Sequence, residues 1–372
     1  MTRAAFIYDE ALSRHVLRED HVLQPSRLQL TFELLDSYHA FDSPTSSLVK
    51  PRQAHDSELL SFHTREYLAA VRGFSRGEML ADPAAFNFSD WGDNPIFPGM
   101  YEASALGAGA SLVAVEQVLS GEVEVAFNIS GGLHHAAPGH ASGFCIFNDP
   151  AIAVMRAVNE GMRVAYVDID AHHGDGVQNA FYADDRVLTV SLHESGRYLF
   201  PGSGGAAEIG AGVGTGYAVS VPLAPYTDDE TYLWAFAQVV PLVARFEPDL
   251  LVSQLGCDSH YLDPLTHLNL TTQGYTGVVR QMKGLNLKWV ALGGGGYEMG
   301  VVARCWTLAY GVMAERDFPD EIPESFRHKY GLNSLRDAEG PSGDEKLQEQ
   351  VRLWAEHTVS EVQRLVFPYH CL

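Results

Sequence analysis

Residues 163 to 176 read RVAYVDIDAHHGDG. Four apolar residues, Val164, Ala165, Tyr166 and Val167, run into Asp168, Asp170, His172, His173 and Asp175, with Gly174 and Gly176 among them. The apolar run has the composition of a buried strand of a parallel sheet. Asp170 and His172 are two apart, so on an extended chain their side chains point the same way. One carboxylate oxygen and one imidazole nitrogen are thereby offered to a borderline cation such as zinc. A solvated acidic turn after a strand is the plainer reading of the same residues.

Three other stretches share the pattern. VEVAFNISGG (123–132) leads into Leu133, His134 and His135. Adjacent histidines past a Gly-Gly turn sit where backbone can approach a ligand closely; otherwise they are two surface histidines. PDLLVSQLGCDSH (248–260) ends in Asp258 and His260, and LKWVALGGGGY (287–297) ends in four glycines and Tyr297. The glycines present no Cβ to a ligand and permit positive φ, leaving Tyr297 free to swing over a site. Phe144, beside Gly143, is either core or the wall of a narrow pocket. Phe200 is presented by the Gly-Pro loop YLFPGSG (198–204), and Asp93 by a Pro-, Gly- and Asp-rich loop over 81–99. Loops of that length are often functional. Arg27 is either a surface arginine or a guanidinium turned into a polar cavity.

These residues need a frame that gathers strand ends. Residues 3–8 have the look of a first edge strand, 186–194 and 214–223 of further strands. Helices are expected after Pro25, over 57–72 with a Ser cap, over about 101–119, after an Asn148-Asp149-Pro150 cap, over 228–246, after Tyr297, and over a terminal amphipathic stretch at 344–367. The segment 315–343 reads as surface loops. Strands alternating with helices predict one α/β domain over 1–372, three layers deep, with a mostly parallel sheet. The carboxyl ends of such strands share one edge, where ligands bind.

Apolar residues make up 46% of the 372, enough for a large core, yet no 18-residue apolar run exists, so no membrane span is expected. The first residues lack the apolar segment of a signal peptide. Four widely spaced cysteines fit reduced thiols in the cytoplasm. A net charge of −22 argues against nucleic acid and suits cationic partners, though plain solubility explains it equally.

LHH (133–135), ASGFCIFND (141–149), DIDAHHGDG (168–176), TVSLH (189–193), FPGSG (200–204), QLGCD (254–258) and GGGGY (293–297) together resemble the zinc-dependent histone deacetylase family. GDNPIFPGM and DPLTHL resemble its bacterial acetoin-utilisation branch, which is similar to the class I deacetylases. The likeness runs from about residue 5 to 315. It implies the arginase-deacetylase fold, with about eight strands, and deacetylation of acetyl-lysine in proteins or peptides by metal-activated water. It further implies a metal (Zn²⁺, or Fe²⁺ in its place) on Asp170, His172 and Asp258. His135 would be the general base and His134 its electrostatic partner, oriented by Asp175 and Asp168, with Tyr297 donating to the oxyanion. Asp93 would take the substrate backbone, and Gly143, Phe144, Phe200, Leu265 and Gly295 would line a tunnel that also admits hydroxamate inhibitors. Structural K⁺ sites would fall at Asp168, Asp170, His172, Ser191 and Leu192, and at Phe181, Asp184, Val187 and Tyr217. Cys257 departs from the family's usual alanine, which suggests an oxidation-sensitive thiol beside the metal. Leu265 stands where many members carry methionine. Acetylpolyamines are the competing substrate class; a two-manganese arginase-type site and an inactive binding module fit the residues less well.

Overall fold

The computed structural model describes residues 2–341 and 344–372. Eight short strands form one sheet: β1 (Ala4–Ile7), β2 (Ser46–Val49), β3 (Val125–Asn128), β4 (Val164–Asp168), β5 (Val187–Glu194), β6 (Ala218–Leu223), β7 (Leu250–Gln254) and β8 (Trp289–Leu292). Every pairing is parallel, in the order β2-β1-β3-β8-β7-β4-β5-β6. Strands covered on both faces must be apolar on both, and β4 shows how. Val164 and Tyr166 enter one buried cluster, Ala165 and Val167 the other. The Val164 cluster includes side chains of α3 (Arg65–Ser75), α4 (Met100–Leu119) and α5 (Asp149–Asn159). The opposite face is covered by α1 (Ser26–Ser37), α7 (Asp229–Phe246), α8 (Thr272–Lys283), α9 (Met299–Met313) and α11 (Glu345–Val366). No helix among the described residues is long and apolar enough to cross a membrane.

The order of strands decides where the chemistry goes. β3, β8, β7 and β4 are consecutive neighbours, and they are the four strands whose sequences end in reactive residues. The chain skips from β3 to β4 and later returns to fill the space between them with β7 and β8. The site therefore lies at the carboxyl ends of central strands, at a change in winding direction.

Several expectations need correcting. The strand near residues 3–8 is not an edge: β1 pairs with β2 on one side and β3 on the other. The edge is β2, whose SSLV is too polar to announce itself; Leu48 is 44% exposed. The single helix expected over 57–72 is two. A short helix over Asp56–Leu59 starts at His55, and α3 starts anew with Thr64 Oγ1 accepting from Tyr67 N–H at 3.2 Å. Ser57 caps neither. Segment 315–343 is no mere surface loop. It contains a helix at Glu324–Tyr330 and buries Ile322, Phe326 and Leu335.

Asp337 fastens that segment. Its carboxylate accepts from Arg304 Nη1 (2.7 Å), the Thr272 N–H (2.8 Å) and His260 Nε2 (2.8 Å). His260, read beside Asp258 in the sequence, is thus turned away from the strand-end cluster. Burial alone would raise the Asp337 carboxyl, but these donors hold it well below the usual range. Asp337→Ala leaves a buried guanidinium without its acceptor and should cost about 3–5 kcal/mol in urea unfolding. Because the folded pKa is depressed, this stabilisation is complete above pH ~4 and is lost as pH falls toward the folded value. The variant should accordingly show a shallower acid-induced loss of stability than the parent.

Candidate active site

Past β4 the chain turns through Asp170 and His172; past β7 it reaches Asp258. His172 Nδ1 lies 3.1 Å from Asp170 Oδ1 and 2.9 Å from Asp258 Oδ2. The three potential ligand atoms lie within 4.8 Å of one another, and all three residues are buried. Each carboxylate is aimed by further donors. Asp170 Oδ2 accepts from Gln254 Nε2 (2.6 Å) and the Gly295 N–H (2.7 Å), Asp258 Oδ1 from the Ala171 N–H (2.8 Å). Two carboxylates buried together repel: burial first, and Asp170's charge second, push Asp258 up to about 8. A divalent cation is what relieves that repulsion, and a set of two carboxylates and one imidazole suits it. A Cβ on Gly295 would lie 2.1 Å from Asp258 Oδ2 and 2.7 Å from Asp170 Oδ2. Only glycine there leaves the approach to both oxygens open.

The histidine pair stands beside this cluster. His134 Nδ1 is 2.7 Å from Asp168 Oδ2, His135 Nδ1 is 2.7 Å from Asp175 Oδ1, and the two Nε2 atoms are 3.1 Å apart. Burial would depress both rings. At His134 the buried charges of Asp168 and Asp170 outweigh it and hold the imidazolium up at about 9. At His135 burial wins, reinforced by the charge on His134, and the ring is pushed down to about 4. The surroundings thus favour the imidazolium at His134 and the neutral ring at His135. The Asp168 carboxylate also accepts from Tyr166 Oη at 2.7 Å.

The wall facing the histidines is a tight turn. Ser142 and Cys145 exchange backbone hydrogen bonds, and Gly143 (φ +50) and Phe144 (φ +68) both lie in the left-handed region. Two central residues of positive φ make a turn of the I′ kind. A phenylalanine held there is under strain of order ~1–3 kcal/mol. Gly143 is required: a Cβ would meet His135 Cδ2 at 2.4 Å. Phe144 then packs edge-on against Tyr297, ring centres 5.8 Å apart. Gly143, Phe144, Tyr297, Gly295, Asp170 and the histidine pair enclose a cavity of about 20 Å³, room for about one water. Phe200 stands outside it, its ring edge-on to His135 at 5.0 Å and 44% exposed. Leu265 is half-buried nearby in sequence to Asp263 and likewise does not line the cavity. A larger cavity of about 100 Å³ adjoins it through Leu23, Leu133 and Phe144. Arg27 lines it; the guanidinium is turned inward, donating to Gly296 O at 2.9 Å beneath the Trp306 ring. The Tyr297 phenol is raised well above 10, by burial and then by Asp258 and Asp170, so it stays a proton donor.

Asp93 is exposed on its loop. His21 Nε2 lies 3.2 Å from its carbonyl, and the His21 ring packs on Phe144 at 4.8 Å. Cys257 is fully buried, 3.7 Å from Gly295 O, and burial raises its thiol well above the usual value. Burial both favours the protonated thiol and screens it from solvent, which works against the expected oxidation sensitivity. Asp168, Asp170, His172, Ser191 and Leu192 share the ends of adjacent β4 and β5. Phe181, Asp184, Val187 and Tyr217 gather near the opposite end of β5. There Arg186 occupies the Asp184 carboxylate (2.6 and 2.9 Å), leaving the carbonyl as its free oxygen.

Reading by motif missed the residues behind the site. Asn148 caps α5 as expected, but its Nδ2 also donates to His134 O and Ala136 O. Asp149, expected in the same cap, turns the other way and accepts the N–H groups of Gly132 and Leu133. Gln254, Tyr166 and Asp263 lie inside stretches the sequence singles out, yet nothing in their type or spacing assigns them a role.

Residues 21–313 match the histone deacetylase domain. The acetoin utilization protein AcuC of Bacillus subtilis is 41% identical over 338 residues, 89% of this chain and 87% of that protein. Human histone deacetylase 1 is 37% identical over 332 residues, 88% of this chain and 68% of that one. Crystal structures of a deacetylase homologue from Aquifex aeolicus, and of a homologue complexed with SAHA, each superpose with a TM-score of 0.87 at 31% identity, covering 96% of this chain and all of theirs.

Asp258→Ala removes one of three ligands and should strip the purified protein of its tightly held divalent metal, read by elemental analysis with folding followed by circular dichroism. Gln254→Ala keeps all three ligands but removes one of the two donors to Asp170 Oδ2, along with the bonds of Gln254 to Gly132 O and the Gly256 N–H. It should weaken metal affinity by about 10–100-fold in a chelator competition.

Proposed function

The chain belongs to the histone deacetylase family, and on that footing we propose that it hydrolyses the acetyl amide of lysine side chains in proteins or peptides. The family is metal-dependent and amide-hydrolysing. The observation that carries the reading is geometric: two histidines, each with its own carboxylate 2.7 Å from Nδ1, stand beside a buried Asp-His-Asp cluster. That arrangement sets an oriented proton acceptor next to a metal-binding group.

Asp170, His172 and Asp258 would hold a divalent cation, zinc or else ferrous iron, which when bound would supply Lewis-acid polarisation of the amide carbonyl and acidify the attacking water. His135 takes the proton released as that water adds to the carbonyl carbon, and Asp175 steadies the imidazolium and fixes its tautomer. The same proton passes to the departing lysine nitrogen as the C–N bond breaks. His134 remains charged and contributes field rather than proton transfer. The Tyr297 hydroxyl donates to the carbonyl oxygen and binds it more strongly as negative charge builds there. Asp93 is exposed, and its carbonyl is tied to His21, whose ring packs on Phe144; from there its carboxylate would accept two backbone amides of an extended peptide. Polyamines carry no such amides, which is the support for a peptide substrate. Hydroxamates, which chelate through two oxygens, bind in the same reading. K⁺ at the two groups of carbonyls and side chains around β5 would be structural. The four cysteines are free, in keeping with a reducing compartment such as the cytoplasm.

Two measurements test this. Tyr297→Phe keeps the ring and the metal ligands. It should lower kcat by about 10²–10³ with KM and metal content near those of the parent, the pattern of an interaction made in the transition state. Normal turnover would remove the oxyanion role. Asp93→Ala should weaken turnover of an acetyl-lysine peptide at least about tenfold, the worth of a charge-assisted pair of hydrogen bonds. A small acetyl-lysine analogue without flanking amides should be nearly unaffected. Equal loss on both, or faster turnover of acetylated polyamines than of peptides, would move the assignment to polyamines.

A further inference from the structure

The glycine run that delivers Tyr297 supplies little restraint of its own. Gly294 and Gly296 sit at φ +133 and +138, where backbone is open to glycine alone and its freedom is greatest. A phenol that must meet a developing oxyanion has to be held to within about 0.5 Å. Something outside the run must hold it.

Arg27 takes the carbonyl of Gly296 from one side. On the other side is Asp263, a carboxylate only 8% exposed that is neither a metal ligand nor a partner of the histidine pair. Its Oδ2 accepts the Tyr297 N–H at 2.8 Å, and its Oδ1 accepts the Leu265 N–H at 2.9 Å. Burying a carboxylate is costly unless it is fully engaged. Here it spends both oxygens on two backbone groups from two separate loops, one of them belonging to the oxyanion donor.

We infer that Asp263 is a positioning residue for the reaction: its two oxygens lock the backbone of Tyr297 to that of Leu265 and so set where the phenol hydroxyl stands. The inference rests on the reading of Tyr297 as oxyanion donor. Geometry also says why no neutral isostere replaces it. Asparagine offers one acceptor and one NH₂ donor, and the donor would face an N–H. One of the two locks must then open, and the Tyr297 backbone shifts or loosens.

The test compares four metal-loaded proteins on the small acetyl-lysine analogue: the parent, Asp263→Asn, Tyr297→Phe and the double variant. Asp263→Asn should lower kcat at least about tenfold, since a ~1 Å misplacement costs on the order of 10²-fold, with KM and metal content unchanged. In the Tyr297→Phe background the same change should cost almost nothing, because there is no hydroxyl left to position. Deuterium uptake over 293–298 should quicken in Asp263→Asn while β8 stays protected. If Asp263→Asn does not fold, Asp263→Glu, which keeps both acceptors but moves them by a methylene, is read the same way. An equal loss of kcat in both backgrounds, a rise in KM instead of a fall in kcat, or loss of metal would overturn the inference. Tyr297→Phe distinguishes the two levels. If it is slow while Asp263→Asn matches the parent, only the positioning role fails; if it turns over normally, the oxyanion role fails first.

Discussion

Asp170 and Asp258 place two carboxyl groups together at 1% and 0% exposure, each in contact with the same imidazole nitrogen. That congestion is the term on which the rest of the molecule depends. It is tolerable only if a cation neutralises it and if every remaining lone pair finds a donor. Gln254, Ala171 and Gly295 supply those donors from β7, from the turn after β4 and from the run after β8. Three neighbouring strands must therefore end at the same height, which a parallel sheet in consistent register provides. The same negative field acts outward: it raises His134, while burial, reinforced by the charge on His134, lowers His135. The Asp-His-Asp cluster and the histidine pair are thus coupled through one local excess of charge.

A second tier of buried groups converts that field into geometry. Asp149 holds Gly132 and Leu133, and Asn148 holds the carbonyls of His134 and Ala136, so the histidine pair enters the site on a backbone gripped from both sides. The 142–145 turn closes the opposite wall, and there the strain falls on a residue that the cavity needs. A left-handed phenylalanine is disfavoured by itself. It persists because its ring is wedged between His21 and Tyr297. The walls are consequently stiff where they face the reacting groups and glycine-lined where Tyr297 arrives.

Much of this was legible in the chain because strand and reactive residues are contiguous: Val164 to Val167 and Asp168 to Asp175 announce each other. The central strands were legible for the same reason, being apolar on both faces. What sequence could not show was pairing at a distance. Gln254 reaches Asp170 across 84 residues and Asp263 reaches Tyr297 across 34, and neither has a spacing that marks it. Asp149 looked like part of a helix cap because its neighbour is one. The polar β2 offered no alternation to detect, and its absence from the reading made β1 look like an edge. The Thr64 cap was hidden inside an amphipathic stretch whose apolar spacing continues past the break at residues 60–64.

The strand order also bears on how such a chain is made. Synthesis delivers β1 to β6 first, yet β3 and β4 are not neighbours; the two strands that join them, β7 and β8, come out of the ribosome later. Until those two strands are made, β3 and β4 have no partner on the edges that face each other in the finished sheet, and unpaired edges are templates for unwanted pairing. Asp170 and His172 are already present, but Asp258 and the Gly295 N–H are not, so a metal ion finds only a partial set of ligands. The full set of ligands and donors exists only once the chain has been made past Gly295, and the keystone strands that close the sheet are the same ones that finish the site.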